Sequence, residues 1–378
     1  MAHAGRHVSS HLNFPTSAMP QDVVYNSEYT RRLKTCFIGC GGHAIRNVYP
    51  TFQYAPVDLM AVCDLDPQRA AEAARIFGAS RTYSDHHEML AREQPEVVFI
   101  VTSYDENGLP LYPRLAIDCM KAGAHAWIEK PPASSRKEVE AMMEVSRETG
   151  KHVGVGFKKM FFPANVKAKE IISSPEFGKI TSIVARYPQH FPSFQDRQND
   201  NKMKWFLDHM VHPHSLLKLL AGDIDWIFVN PNEIEHSAMV SLKFKSGAIG
   251  NLHFAAGISG VSPFERTEIV GQGANVIVEN NIRVIYYRKG TPPKYGRGDS
   301  WFGPNEEAPL VWEPEFSLGQ LHNKGIFLLG YAPEVIHFTT RILDGKAPEK
   351  GSLEDALEIA AVYEAYRKPE LEMQRIVK

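Results

Sequence analysis

Between residues 33 and 157 five short apolar runs alternate with longer stretches, most of them with helical spacing. No other feature constrains the fold as tightly. The runs are LKTCFIGC (33–40), DLMAVCDLD (58–66), PEVVFIVTS (95–103), AHAWIEK (124–130) and KHVGVGF (151–157). Each is β-branched or aromatic and short, as a strand buried on both faces should be. Between them, PQRAAEAARIFG stops at Gly78 and LYPRLAIDCMKAG stops at Gly123. SSRKEVEAMMEVSRETG opens on Ser135, has Glu138 three residues on, and stops at Gly150, a helix with a capping signal at its start. Strands and helices alternating at this length predict an α/β, doubly wound parallel sheet with right-handed crossovers.

After Gly154 the pattern changes. Residues 179–187, 238–245, 247–256, 266–271 and 275–279 read as strands joined by turns such as KSG and GQG. Alternation in MVSLKFKSG and IGNLHFAAG suits an antiparallel sheet with one covered face. Helices are predicted at roughly 163–173, 213–221, 333–344 and 353–367, which makes this half α+β. Residues 290–325, rich in Gly, Pro and aromatics, read as a long loop. The expected division is a tail or arm at 1–32, a nucleotide-type domain at 33–154 and a second domain at 155–378.

Composition excludes several classes of partner. With 42 basic and 44 acidic residues the formal net charge is -2, which gives no electrostatic case for nucleic acid or an anionic membrane. No apolar run approaches the roughly 20 residues that span a bilayer. Residues 1–32 are polar, with no apolar core of a signal peptide. Cys36, Cys40, Cys63 and Cys119 show no metal-type spacing and read as reduced thiols of a cytoplasmic protein.

The first strand runs into GCGGHA at 39–44. Gly39, Gly41 and Ala44 fit a G-x-G-x-x-A turn, which lets backbone N–H groups approach a pyrophosphate at a helix start. The pattern alone is weak, and a glycine turn in an unrelated α/β fold matches it. Here it follows a strand, and Asp64 ends the next strand 25 residues after Gly39. A carboxylate there accepts hydrogen bonds from the adenosine ribose and repels a 2′-phosphate, so NAD is expected over NADP, although Arg69 stands close by.

The fourth strand ends on Glu129, Lys130 and two prolines. Burying a lone charge is costly, so both side chains are expected in a cleft or paired. GCGGHA, CDLD and AGAHAWIEKP together resemble the Gfo/Idh/MocA oxidoreductases, over roughly residues 33–370. The resemblance implies that E-K-P closes a Rossmann domain and sets Lys130 beside the nicotinamide. It also implies a C-terminal open sheet whose outer face pairs subunits into a homodimer or homotetramer. The cofactor set is then Gly39, Gly41, Gly42, His43, Ala44, Asp64, Thr102, Glu129 and Lys130.

In WFLDHMVHPHSLLKLLAG (205–222), Asp208 and His212 match the family's aspartate-to-histidine spacing of four. In a helix both lie on one face; with Pro213 opening the helix, both sit on the entering turn. Oxidising a secondary alcohol removes a proton as well as a hydride, and an imidazole suits that proton. Lys130 can stabilise the alkoxide, with Asp208 holding His212. Imidazoles at 209, 212 and 214 also raise zinc, but the proline among them and the lack of a nearby cysteine argue against a metal site.

The chain departs from the family pattern in four places. Ser215 replaces an aspartate, Met160 an arginine, TSYDENGLPLY puts Tyr112 near a histidine position, and His209 and His214 are additions. The substrate class is therefore open around a sugar, inositol or derivative. Lys158, Lys159, His190, Arg197, His209 and His214 are candidate substrate contacts. The cations among them, with Lys202 and Lys204, raise an anionic substrate; a solvated loop is the plainer reading. Besides a dehydrogenase, the pattern admits an NAD-recycling glycoside hydrolase and a non-catalytic NAD-binding sensor.

Overall fold

The computed structural model describes residues 24–290, 309–313, 324–370 and 372–378. Six parallel strands form the first sheet: β1 (Leu33–Ile38), β2 (Val57–Cys63), β3 (Arg81–Tyr83), β4 (Val97–Ile100), β5 (His125–Ile128) and β6 (Val153–Val155). Their order is 3-2-1-4-5-6, so the chain reverses direction between β1 and β4. Ligands of such sheets bind in the crevice at that reversal, beyond the carboxyl ends of the strands. Helices α1 (Pro67–Phe77), α2 (His86–Glu93), α3 (Tyr112–Lys121) and α4 (Arg136–Thr149) make the crossovers. Asp66, Asp85 and Ser135 cap α1, α2 and α4 through their side chains.

No regular α-helix follows β1. A widened π-type turn at Ala44–Val48 runs into a 3-10 turn at Tyr49–Gln53, where Pro50 lacks the N–H a continuing helix needs. Of the expected tail, residues 24–32 lie against the first sheet's layer. Asn26 Nδ2 donates to the Val57 carbonyl at 2.7 Å, and Tyr25 stacks on Tyr54. The rest of the tail, and most of the loop at 290–325, fall outside the described residues.

The second sheet is larger than the sequence suggested. After α5 (Pro163–Ile172) come β7 (Ser182–Tyr187), α6 (Asp200–Ala221), β8 (Ile224–Pro231), β9 (Ala238–Phe244) and β10 (Ile249–Phe254). Next are β11 (Arg266–Val270), β12 (Asn275–Glu279), β13 (Arg283–Tyr287) and β14 (Leu310–Trp312). The chain closes with α7 (Lys324–Leu328), α8 (Tyr331–Leu343), α9 (Leu353–Tyr366) and β15 (Gln374–Arg375). The order is 14-13-12-11-7-10-9-8-15, antiparallel except between β7 and β10. One face is covered: Ile183, Ala185, Val240, Leu242 and Leu252 are buried, while Val184, Met239 and Ile249 point the other way and are exposed.

Helix α8 returns to the first sheet, where Phe338 and Val335 join Phe99 and Trp127 in one apolar cluster. Glycine at 154 is required by that packing, because a Cβ there would lie 2.6 Å from the Phe338 ring. The two sheets thus share a core around β5, and β5 delivers Glu129 and Lys130 to their junction.

Candidate active site

A cleft of about 800 Å³ opens at the reversal point between β1 and β4. Gly39 turns the chain there with φ +98°, and a Cβ would stand 1.9 Å from the Val101 carbonyl oxygen, so no other residue fits. At Gly41 an added Cβ meets nothing within 4 Å; the backbone faces the open cleft. Asp64 ends β2 with both oxygens engaged: Oδ2 accepts from Cys40 N at 2.7 Å and Oδ1 from Asp66 N at 2.9 Å. The carboxylate therefore pins the glycine turn while lining the cleft. Arg69 stands 3.9 Å from Asp64 but hydrogen-bonds Asp66. A glycine cradle, exposed backbone and a fixed acid at the second strand end together fit a dinucleotide.

Glu129 is buried and paired. Asn47 Nδ2 donates to His43 Nδ1 at 3.1 Å, which places the ring proton on Nε2; Nε2 then donates to Glu129 Oε1 at 3.0 Å. Glu129 Oε2 accepts the Lys130 backbone N–H at 3.0 Å, and a cis peptide to Pro131 follows. Lys130 is thus fixed at its backbone by Glu129 and at its head by Asp208, with Nζ to Oδ1 at 2.8 Å. The Tyr104 hydroxyl donates to the same oxygen at 3.1 Å. Burial and then Asp208 hold that phenol well above its ordinary pKa, so it remains a donor.

Asp208 and His212 belong to α6, which runs straight through Pro213 rather than starting there. Proline deprives the His209 carbonyl of its helical donor without ending the helix. The spacing of four puts both side chains on one face. Asp208 pairs with Lys130, however, and among the described residues the His212 ring has no hydrogen-bond partner. Burial, followed by Lys130, Lys159 and Lys158, pushes the His212 imidazole well below its ordinary pKa. It is neutral around pH 7 and able to accept a proton.

The other candidates divide. Thr102 lines the cleft; its hydroxyl is buried and unpartnered while its carbonyl accepts from Tyr112 OH. Lys158 hydrogen-bonds Tyr331 at 2.9 Å, and burial lowers its pKa. Lys159 pairs with Glu265 and lies over the Tyr187 ring. His190 and His209 line a separate side pocket. His214 is buried on Tyr366 OH at 2.8 Å, facing away from Asp208.

Arg197 is a correction to the substrate-contact set. It is fully buried between the rings of Phe191 and Phe194, donates to the carbonyls of Tyr366 and Lys368, and pairs with Glu370. Lys202 pairs with Asp196. Arg197 and Lys202 are thus each met by a carboxylate of the chain, whereas Lys204 lines the cofactor cleft. The imidazoles at 209, 212 and 214 do not converge. Among the described residues, the three potential ligand atoms that approach one another within 4.8 Å belong to His86, His87 and Asp118 at the cleft rim.

Fold and site define a dinucleotide-binding α/β protein with a lysine–carboxylate pair in the cleft and a buried histidine one helical turn beyond that carboxylate. Residues 33–157 match the model of an oxidoreductase family with an NAD-binding Rossmann fold, and 165–277 match its GFO/IDH/MocA C-terminal domain. The chain belongs to the Gfo/Idh/MocA family, and NAD is its cofactor. It is 24% identical to the myo-inositol 2-dehydrogenase of Thermotoga maritima over 236 residues, 59% of this chain and 68% of that one. It is 27% identical to the scyllo-inositol 2-dehydrogenase (NAD(+)) of Bacillus subtilis over 240 residues, 57% of this chain and 65% of that one. A levoglucosan dehydrogenase solved with NADH and levoglucosan superposes with a TM-score of 0.73 at 18% identity, over 92% of this chain and all of that one.

Proposed function

We propose that this chain oxidises a secondary hydroxyl of a sugar, an inositol or a close derivative with NAD. The observation that carries the reading is the Lys130–Asp208 pair at 2.8 Å on the cleft edge, with His212 one helical turn further on. The glycine turn at 39–42 and Asp64 would hold the cofactor, with His43, Ala44 and Thr102 as neighbouring walls. Bound NAD supplies the hydride acceptor.

The chain's own residues handle the oxygen. Lys130 Nζ donates a hydrogen bond to the substrate hydroxyl oxygen and stabilises negative charge as it develops. The neutral His212 ring accepts the hydroxyl proton, and its depressed pKa keeps it unprotonated near neutral pH. Asp208 holds the ammonium of Lys130 and so acts on the lysine rather than on His212. Tyr104 fixes Asp208 from its other side. The names of the inositol and levoglucosan dehydrogenases support a ring polyol as substrate.

A second reading starts with the same oxidation and ends in glycosidic cleavage with NAD recycled. A side pocket adjoining the cleft at Trp205 favours it, since an aglycone needs room. We infer further a cytoplasmic protein, since all four cysteines are free and buried. We also infer a homodimer or homotetramer formed through the open face that exposes Val184, Met239 and Ile249; a monomer by light scattering at micromolar concentration contradicts that assembly.

The test is a panel of inositols, sugars and glycosides with NAD, reading NADH and released aglycone together. One NADH per ketone formed supports net oxidation. Aglycone release with sub-stoichiometric NAD supports recycling. Bound NAD with neither product supports a sensor and overturns the proposal.

A further inference from the structure

One stripe of helix α6 runs from solvent to the buried histidine. Trp205, His209 and His212 follow at spacings of four and three, so they lie one above another on the same face. Their rings are in succession 6.0 and 6.4 Å apart between centroids. Exposure falls along the stripe: Trp205 is 68% exposed, the His209 side chain 42%, His212 only 9%. His209 Nδ1 lies 3.7 Å from Asp208 Oδ2. The stripe therefore ends where the reacting hydroxyl is placed under the proposed function.

Its outer end borders a second cavity of about 420 Å³, large enough for a small organic ligand. Trp205 lines both this pocket and the cofactor cleft, so the two spaces meet at one side chain. Phe191 and Phe206 give the pocket an apolar wall, and His190, His209 and His236 give it donors and acceptors. Among the described residues, the lysine that lines it, Lys202, is matched by Asp196. An exposed tryptophan beside an apolar wall suits the flat face of a ring that is polar at its edges.

A buried amide stiffens the same wall. Gln189 lines the pocket and is 91% buried by its 9% exposure. Its Nε2 donates to the Phe206 carbonyl at 2.9 Å, which fixes the orientation of the amide. Oε1 is left buried with no hydrogen-bond partner.

We propose that this pocket is a second ring subsite, so that the substrate is a glycoside whose reacting ring sits at Lys130 and His212 and whose linked, uncharged ring stacks on Trp205. The proposal rests on the carbohydrate dehydrogenase reading and narrows its substrate class. Seven residues of helix separate Trp205 from His212, about 10 Å along the axis, a span suited to two linked rings. A single ring at Lys130 leaves the pocket unused, while a two-ring substrate fills both spaces at once.

The test is calorimetric titration of the NADH-saturated protein with matched probes: glucose against cellobiose and maltose, methyl against phenyl β-glucoside, and myo-inositol against galactinol. The expected result is that a linked member binds about ten-fold more tightly than its single-ring partner. Trp205→Ala removes the stacking face, and Ser193→Trp fills the pocket from an exposed position. Each brings that ratio close to one, with NADH binding and thermal melting confirming a folded protein. Equal binding of single and linked probes by wild type overturns the subsite and leaves the dehydrogenase reading intact. A ratio unchanged in both variants overturns its location. No binding by any probe, with NADH bound, overturns the carbohydrate reading together with the subsite.

Discussion

Replacing Arg197 by methionine separates a structural role from a substrate role. The side chain is fully buried, yet it lies in a loop whose cations suggested an anion site. Methionine keeps most of the apolar stem between Phe191 and Phe194 and deletes the guanidinium. The Tyr366 carbonyl, 2.8 Å from Nη1, is then buried without that donor, at a cost of about 1–3 kcal/mol. The Lys368 carbonyl at 2.9 Å and the Glu370 carboxylate are nearer solvent and recover part of their loss from water. Removing a buried charge returns some desolvation energy, so the net destabilisation is about 2–4 kcal/mol. For a domain of this size that lowers Tm by roughly 5–15 °C. The assay is a thermal melt beside kcat/KM for charged and neutral substrates. A lower Tm with the same ratio between those substrates is expected. An unchanged Tm with KM raised only for an anionic substrate refutes the structural assignment.

Three further outcomes follow from the cleft. Asp64→Ala removes the acceptor of Cys40 N and the charge that faces a 2′-phosphate, so NAD affinity falls about ten-fold or more and the preference over NADP narrows; unchanged affinity for both contradicts the assignment. Tyr104→Phe deletes one hydrogen bond to a carboxylate, worth about 1.5 kcal/mol, so kcat falls roughly ten-fold while NADH affinity holds; full activity contradicts an orienting role. A base with a depressed pKa stays neutral as pH falls, so the acid limb of kcat/KM assigned to His212 lies below the ordinary histidine value of about 6.5. Lys130→Met removes the strongest neighbouring cation and moves that limb upward; a limb already above 6.5 in wild type contradicts the electrostatics.

The parallel sheet was legible because its strands are buried on both faces and bounded by caps and glycines. Leu33–Ile38, Val97–Ile100 and His125–Ile128 each fall inside an expected run. Short elements with no longer apolar run around them escaped: Arg81–Tyr83 and Leu310–Trp312 have three residues each. IDWIFVNP, which forms β8, has apolar residues in both parities and does not alternate. Pro213 left the start of α6 open, and only the completed helix shows that Asp208 and His212 share its face.

In the site, Gly39, Asp64 and Lys130 were legible because turn geometry and strand ends leave a local mark. Arg197 was misread because its acceptors come from residues 366–370, and no local pattern announces a contact at that separation. Tyr104 and Trp205 were noted only as parts of longer stretches. Tyr104 meets Asp208 across 104 positions of chain, and Trp205 gains its significance from two cavities that exist only in the folded protein. Glu334, buried with both carboxylate oxygens unpartnered and its pKa pushed well up by burial and then by Glu129, gave no sequence signal either.

The most direct measurement is single-turnover NADH formation from a substrate identified in the panel, in wild type, Lys130→Met and His212→Gln. Under the proposed function both side chains act on the reacting hydroxyl, whereas the glycine turn and Asp64 would hold the cofactor. The expected result is hydride transfer slowed about 100- to 10,000-fold in each variant, with NADH affinity within about three-fold of wild type. Transfer at close to the wild-type rate in either variant, with NADH bound normally, contradicts the assignment of Lys130 and His212 to the chemistry.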